Sequence, residues 1–207
     1  MKRMTAGLLG LALAAWGTAC TTGTGTEPDP VPVPSGPPVR WTGTALFTED
    51  AEATEVTWTN RFEVEVMWVK VENPNPPPPP GTTRYVPSGR VHVVMRSYTD
   101  IGRCTVDHSG DFPVSPPATS LLPDEQRLDL GPDGRYQGKL YGSFLLDYLQ
   151  YCRSLDRTFQ SRTTLYMSLD IAGTLDGGRM HGDMPARVLE GANVTSTRRG
   201  TWNFTSN

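Results

Sequence analysis

The strongest constraint on this chain is an alternation of period two. Val56, Trp58, Phe62, Val64, Val66 and Trp68 occupy even positions, with Glu55, Thr57, Thr59, Arg61, Glu63 and Glu65 between them. Successive side chains of a strand point to opposite faces, so this run predicts a half-buried strand or bent strand pair, with one polar slip at Asn60. After Trp68 the apolar residues move to odd positions, Val69 and Val71, and a bulge or edge crossing is the expected cause. Arg90 to Tyr98 alternates again with both faces fairly apolar, as an interior strand would.

Turn chemistry divides the rest of the chain. Gly131-Pro132-Asp133-Gly134 separates Leu128–Leu130 from Tyr136–Gly142, and Gly173-Thr174-Leu175-Asp176-Gly177-Gly178 separates Leu165–Ile171 from Met180–Met184. Asp-Gly and Gly-Gly supply the positive φ angles of tight hairpins. Asn73 to Thr83, with prolines at 76 to 80, reads as a stiff exposed loop. Trp41-Thr42-Gly43-Thr44 and Gly200-Thr201-Trp202 are placed to pair as first and last strands. Ser143 to Ser154 is the main helical candidate, with Phe144, Leu145, Tyr148, Leu149 and Cys152 at helix-like spacing and a strand as its rival. The whole predicts an all-β fold, a single antiparallel β-barrel or β-sandwich of about 8–10 strands with room for one short helix. In outline it resembles a lipocalin-type closed barrel.

The N-terminus has a different character. Lys2 and Arg3 precede an apolar run from Leu8 to Trp16, and Gly17-Thr18-Ala19-Cys20 closes it. That is the layout of a cleavable secretory signal, and the run is far short of the roughly 20 residues of a membrane-spanning helix. The segment resembles the lipobox of bacterial lipoproteins, with Gly17 standing where leucine is commonest. The resemblance implies cleavage before Cys20, lipidation of its thiol, and a membrane partner through the lipid anchor. Thr21 after the cysteine then points to the outer membrane by analogy with enteric sorting. The alternative is ordinary signal-peptidase cleavage after Ala19, giving a secreted or periplasmic soluble protein. Residues 21 to 38 are rich in Thr, Gly and Pro and read as a polyproline II spacer of about 3.1 Å per residue. The expected organisation is a signal peptide over 1–19, a lipidated cysteine and tether over 20–38, and a β-domain over 39–207.

There are three cysteines. Lipidation of Cys20 leaves Cys104 and Cys152 as a pair, and in an oxidising compartment these are expected to form a disulfide. The net charge is −3 and no run of Lys and Arg marks a phosphate-binding surface, which argues against nucleic acid as a partner.

The three histidines are His92, His108 and His181. Cys104, Asp107, His108 and Asp111 form the densest polar cluster, yet neighbours on a strand face opposite ways, so Asp107 cannot readily orient His108. Met180, His181 and Met184 offer thioether and imidazole groups that suit copper, with barrel packing and a turn as the plainer reading. No nucleophile elbow, phosphate loop, dinucleotide fingerprint or zinc-spaced cysteine set is present, and no cofactor is implied. Three functions follow as expectations. The first is a non-catalytic binding or structural module of the cell envelope, meeting a protein or polysaccharide through loops such as Asn73 to Thr83. The second is a barrel carrier of a small apolar ligand or lipid, lined by Trp41, Trp58, Phe62, Trp68, Tyr136, Tyr141 and Trp202. The third, ranked last, is a metal protein or enzyme using the histidines.

Overall fold

The computed structural model describes residues 36–114, 126–191 and 193–207. The signal segment, Cys20 and all but the end of the tether lie outside the described residues. The alternating runs form long strands: β1 (Arg40–Ala53), β2 (Val56–Lys70), β3 (Thr83–Thr99), β4 (Cys104–Val114), β5 (Arg127–Leu130), β6 (Arg135–Cys152), β7 (Arg157–Thr174), β8 (Arg179–Glu190) and β9 (Val194–Ser206). They make one nine-stranded sheet in which every ladder is antiparallel. β1 pairs with both β2 and β9, so first and last strands do meet, with Ala45 opposite Trp202. β4 and β5 follow one another along β3, and each also pairs with β6.

The sheet is not barrel-shaped. Among the described residues it ends at β7 on one side and β8 on the other, and no ladder joins the two. The closed barrel and its lipocalin-like outline are therefore corrected to one open sheet. At the two edges, Leu175 N is taken by Gly134 O in line with the β6–β7 ladder, and the β8–β9 ladder is irregular between Met184 and Arg187, at Pro185, which has no N–H to give. Beyond an isolated bridge at Asp176 and Arg179, the strands are linked by a side-chain ion pair, Arg187–Asp170 at 3.1 Å.

The period-two pattern places the core. On β2, Phe62, Val64, Val66 and Trp68 are buried, and Arg61, Glu63 and Glu65 are exposed. The inner rings touch: Phe47–Phe62 at 5.6 Å, Phe62–Phe144 at 5.7 Å and Phe112–Phe144 at 5.4 Å between centroids. Asn60, the polar slip, also faces inward, where its Nδ2 donates to Glu49 Oε2 at 3.3 Å and Arg198 Nε donates to Glu49 Oε1 at 2.7 Å. No bulge follows Trp68: β2 keeps one register with β1 and with β3, and Val69 lies half-buried on the outer face. The helix expected over Ser143–Ser154 is also corrected. These residues belong to β6, which pairs with β7 along its whole length, with Phe144, Leu146 and Cys152 buried on one face and Leu145 and Leu149 exposed on the other. The helical element among the described residues is a single 3-10 turn, Ile101–Arg103.

Two features fix the closest strand approaches and the proline-rich loop. Gly43 and Gly89 both stand opposite Val66, and a Cβ at either would lie 2.0 Å from a backbone oxygen, of Asn203 and Glu65 respectively. Arg84, buried at the start of β3, donates Nε and Nη2 to Asp129 at 2.8 and 3.0 Å and Nη1 to Pro76 O at 2.7 Å. That guanidinium fixes the proline-rich loop expected from the sequence to β5.

Candidate functional site

Antiparallel register turns scattered residues into rows. Thr201 (β9), Leu46 (β1), Glu63 (β2), His92 (β3) and Asp111 (β4) are successive cross-strand partners on the outer face. The next row is Asn203, Thr44, Glu65 and Arg90. Directly opposite side chains stand about 5 Å apart, so each row is one continuous contact. These two rows and Arg61 line an open groove of about 630 Å³ on the outside of the sheet. Its walls are two ion pairs, Arg90 Nη2–Glu65 Oε2 at 3.2 Å and Arg61 Nε–Glu63 Oε1 at 2.8 Å, and the hydrogen-bonded contact between His92 Nδ1 and Asp111 Oδ1 at 2.9 Å. The groove continues past Leu46, Arg61 and Glu63 toward Arg96 and the Arg199–Asp50 pair.

This lattice alternates acid and base. It has the means to recognise a polar surface, but it holds no catalytic constellation. His92 stands between Glu63 and Asp111 on the outer face. His108 is half-buried on the inner side of β4, whereas Asp107 faces out toward Arg96 at 3.5 Å. His181 is exposed on β8. The histidines therefore do not converge, and Cys104 is tied to Cys152 in the expected disulfide.

The other residues singled out in the sequence are distributed as follows. Met180 and Met184 are buried in the core while His181 points outward, so the three do not face one point. Among the described residues no group of three His, Cys, Asp or Glu side chains is gathered as metal ligands. Of the seven aromatics placed along a ligand cavity, Trp41, Phe62, Trp68, Tyr136 and Trp202 are buried, and Trp58 and Tyr141 are half-buried. Tyr136 O–H donates to His181 O at 2.8 Å, and Trp202 Nε1 donates to Tyr136 Oη at 3.2 Å. These groups cross-brace the core. Cys20 lies outside the described residues.

A second hollow of comparable size, about 620 Å³, lies at the disulfide end of the domain. Tyr98, Asp100, Arg103, Thr105, Tyr151 and Arg153 line it. Tyr151 O–H donates to Asp156 Oδ1 at 3.0 Å, and that carboxylate pushes the phenol's pKa up. Neither hollow was legible in the sequence as a site. Their residues looked like the solvated half of alternating strands, and nothing local told which strand lies beside which.

Comparison with family models, curated proteins and solved structures finds no match for this chain. The resemblance to bacterial lipoproteins is corrected accordingly. No family and no relative stands behind it, and the description of an outer-membrane lipoprotein is withdrawn with it. What the molecule defines is a disulfide-bonded, all-β domain built on one large antiparallel sheet.

Proposed function

We propose that the chain is a non-catalytic binding module of the cell envelope, and that the outer-face groove of β9, β1, β2, β3 and β4 receives a polar protein surface. The observation that carries this reading is the pattern of the groove: two cross-strand rows in which acidic and basic residues alternate over β2, β3 and β4, with the neutral Thr44, Leu46, Thr201 and Asn203 beside them. Charges so arranged discriminate between partners through complementarity and register rather than through net charge. The strands beneath are long and continuously paired, so the surface is held rigid before it meets a partner. The Cys104–Cys152 bridge fits an exported protein, because such bonds persist in oxidising compartments.

The reading is tested by placing a photo-crosslinking residue at Thr44 or Leu46 of the full-length chain in intact cells, with Gln137 as a remote control. Adducts to one defined envelope protein are expected from Thr44 and Leu46, and none from Gln137. Exchanging the pair as Glu65→Lys with Arg90→Glu should abolish those adducts while keeping the ion pair. Adducts that survive this exchange, or that form equally from Gln137, would overturn the assignment.

A further inference from the structure

The hollow at the disulfide end has a composition unlike the groove. Tyr98 on β3, Thr105 on β4 and Tyr151 on β6 form one cross-strand row on the outer face. The two tyrosines flank the threonine, two strand spacings apart, or about 9–10 Å. Both present part of their rings to solvent, Tyr98 at 41% and Tyr151 at 44% exposure. Arg103 and Arg153 line the same hollow, with the single carboxylate of Asp100 beside them. Most arginines on this domain are ion-paired; among the described residues Arg103 and Arg153, like Arg40, Arg157 and Arg179, have no carboxylate partner.

The backbone that carries these groups is pinned from several sides. Arg153 N donates to Arg103 O at 3.2 Å and Ser154 N to Gly102 O at 3.1 Å, tying the β3–β4 turn to the β6–β7 turn. Asp100 N donates to Glu55 O at 2.8 Å in the β1–β2 turn, and the Cys104–Cys152 bridge closes the base. Arg103 sits in the left-handed region at φ 48°, as Glu55 and Asp156 do in the neighbouring turns.

We propose that this hollow is a binding site for an acidic saccharide chain, one whose sugar rings carry carboxylate groups. The tyrosine rings present flat amphipathic faces to the C–H faces of sugars, and the Thr105 hydroxyl between them can bond a sugar hydroxyl. Arg103 and Arg153 pair with the carboxylates, as planar guanidinium groups do well. The strands beneath the row are paired to each other at Tyr98–Thr105 and Thr105–Tyr151, so no free strand edge is offered there for an extended peptide to join. The site is separate from the charged groove and does not depend on the function assigned to it.

The test is affinity electrophoresis of the full-length, disulfide-bonded chain in gels containing polygalacturonate, amylose or poly-L-glutamate. Retardation is expected in polygalacturonate alone. Tyr98→Ala and Tyr151→Ala should each weaken it roughly threefold to tenfold. Arg153→Gln, and Arg103→Asn, which tolerates the left-handed backbone, should weaken it comparably. The thermal midpoint of each variant, compared with the parent, separates loss of binding from loss of fold. The Glu65→Lys, Arg90→Glu exchange in the groove should leave the retardation unchanged. Absence of retardation in polygalacturonate, equal retardation in amylose or poly-L-glutamate, or well-folded tyrosine variants that bind like the parent would each overturn the proposal.

Discussion

Single residues set the limits of this sheet where backbone meets backbone. Gly89 adopts φ 149°, and a Cβ added there would fall 2.0 Å from Glu65 O. Neither atom is the end of a flexible side chain, so the strands would have to separate. Gly89→Ala is expected to cost about 3 kcal/mol or more in urea denaturation, and Gly191→Ala, whose new Cβ would come no nearer than 3.4 Å to anything, within about 0.5 kcal/mol. A smaller loss at Gly89 would mean that the sheet is not held there. The sequence marks these positions only weakly. Gly43 reads simply as a glycine in a strand-like run and Gly89 stands just before one, and it takes the register to show that both oppose Val66. Asn60 is the converse case: the slip was visible in the alternation, but its partner Glu49, and the Arg198 that holds Glu49, were not.

At the scale of elements, the junction between β4 and β6 depends on its covalent link. Those strands pair only through Cys104–Cys152 and Thr105–Tyr151, whereas β6 and β7 pair over eighteen positions. The bridge spans a separation of 48 residues, for which the chain-entropy account gives about 4 kcal/mol. Replacing both cysteines by alanine should lower stability by about that amount. Amide exchange should speed up first around Arg103 and Arg153, with β1, β2 and β9 still protected. Uniform deprotection would instead mean that the sheet opens as one unit. Cysteine counting foresaw the pair because the chemistry is local to two residue types. The strand nature of β6 was harder to read, since Phe144, Tyr148 and Cys152 fit both periodicities and β7 decides between them.

For the whole molecule, pH is the informative variable. Tyr85 is fully buried, and burial pushes its phenol above the ordinary value of 10.0. A raised folded-state pKa stabilises the protein below the unfolded pKa, and that contribution is lost as pH rises through about 10 toward the folded value. Thermal midpoints should therefore fall on the alkaline side above pH 10, and Tyr85→Phe should make the fall shallower. On the acid side, the hydrogen bond from Arg162 holds the Asp147 carboxyl below its ordinary 3.8. Its small exposed contribution is present above that pH and fades only as pH drops through the lower folded value. An identical alkaline slope in Tyr85→Phe would show that the phenol is not what titrates.

The sequence by itself determined the all-β class, the inward and outward faces of β2, the hairpin turn at Gly131–Gly134 and the disulfide. These are local properties, written in alternation, in residues that accept positive φ, and in a count of thiols. The strands on either side of Gly173–Gly178, by contrast, do not pair as the expected hairpin and meet only in a tight turn at Asp176 and Arg179. Only the tertiary structure decided that the sheet stays open between β7 and β8, that Ser143–Ser154 is strand, and that the two surface hollows exist. Each depends on which strand lies beside which and in what register. Register is a non-local quantity, set when the inner faces pack together, and the outer rows from Thr201 to Asp111 and from Tyr98 to Tyr151 are assembled only as its consequence.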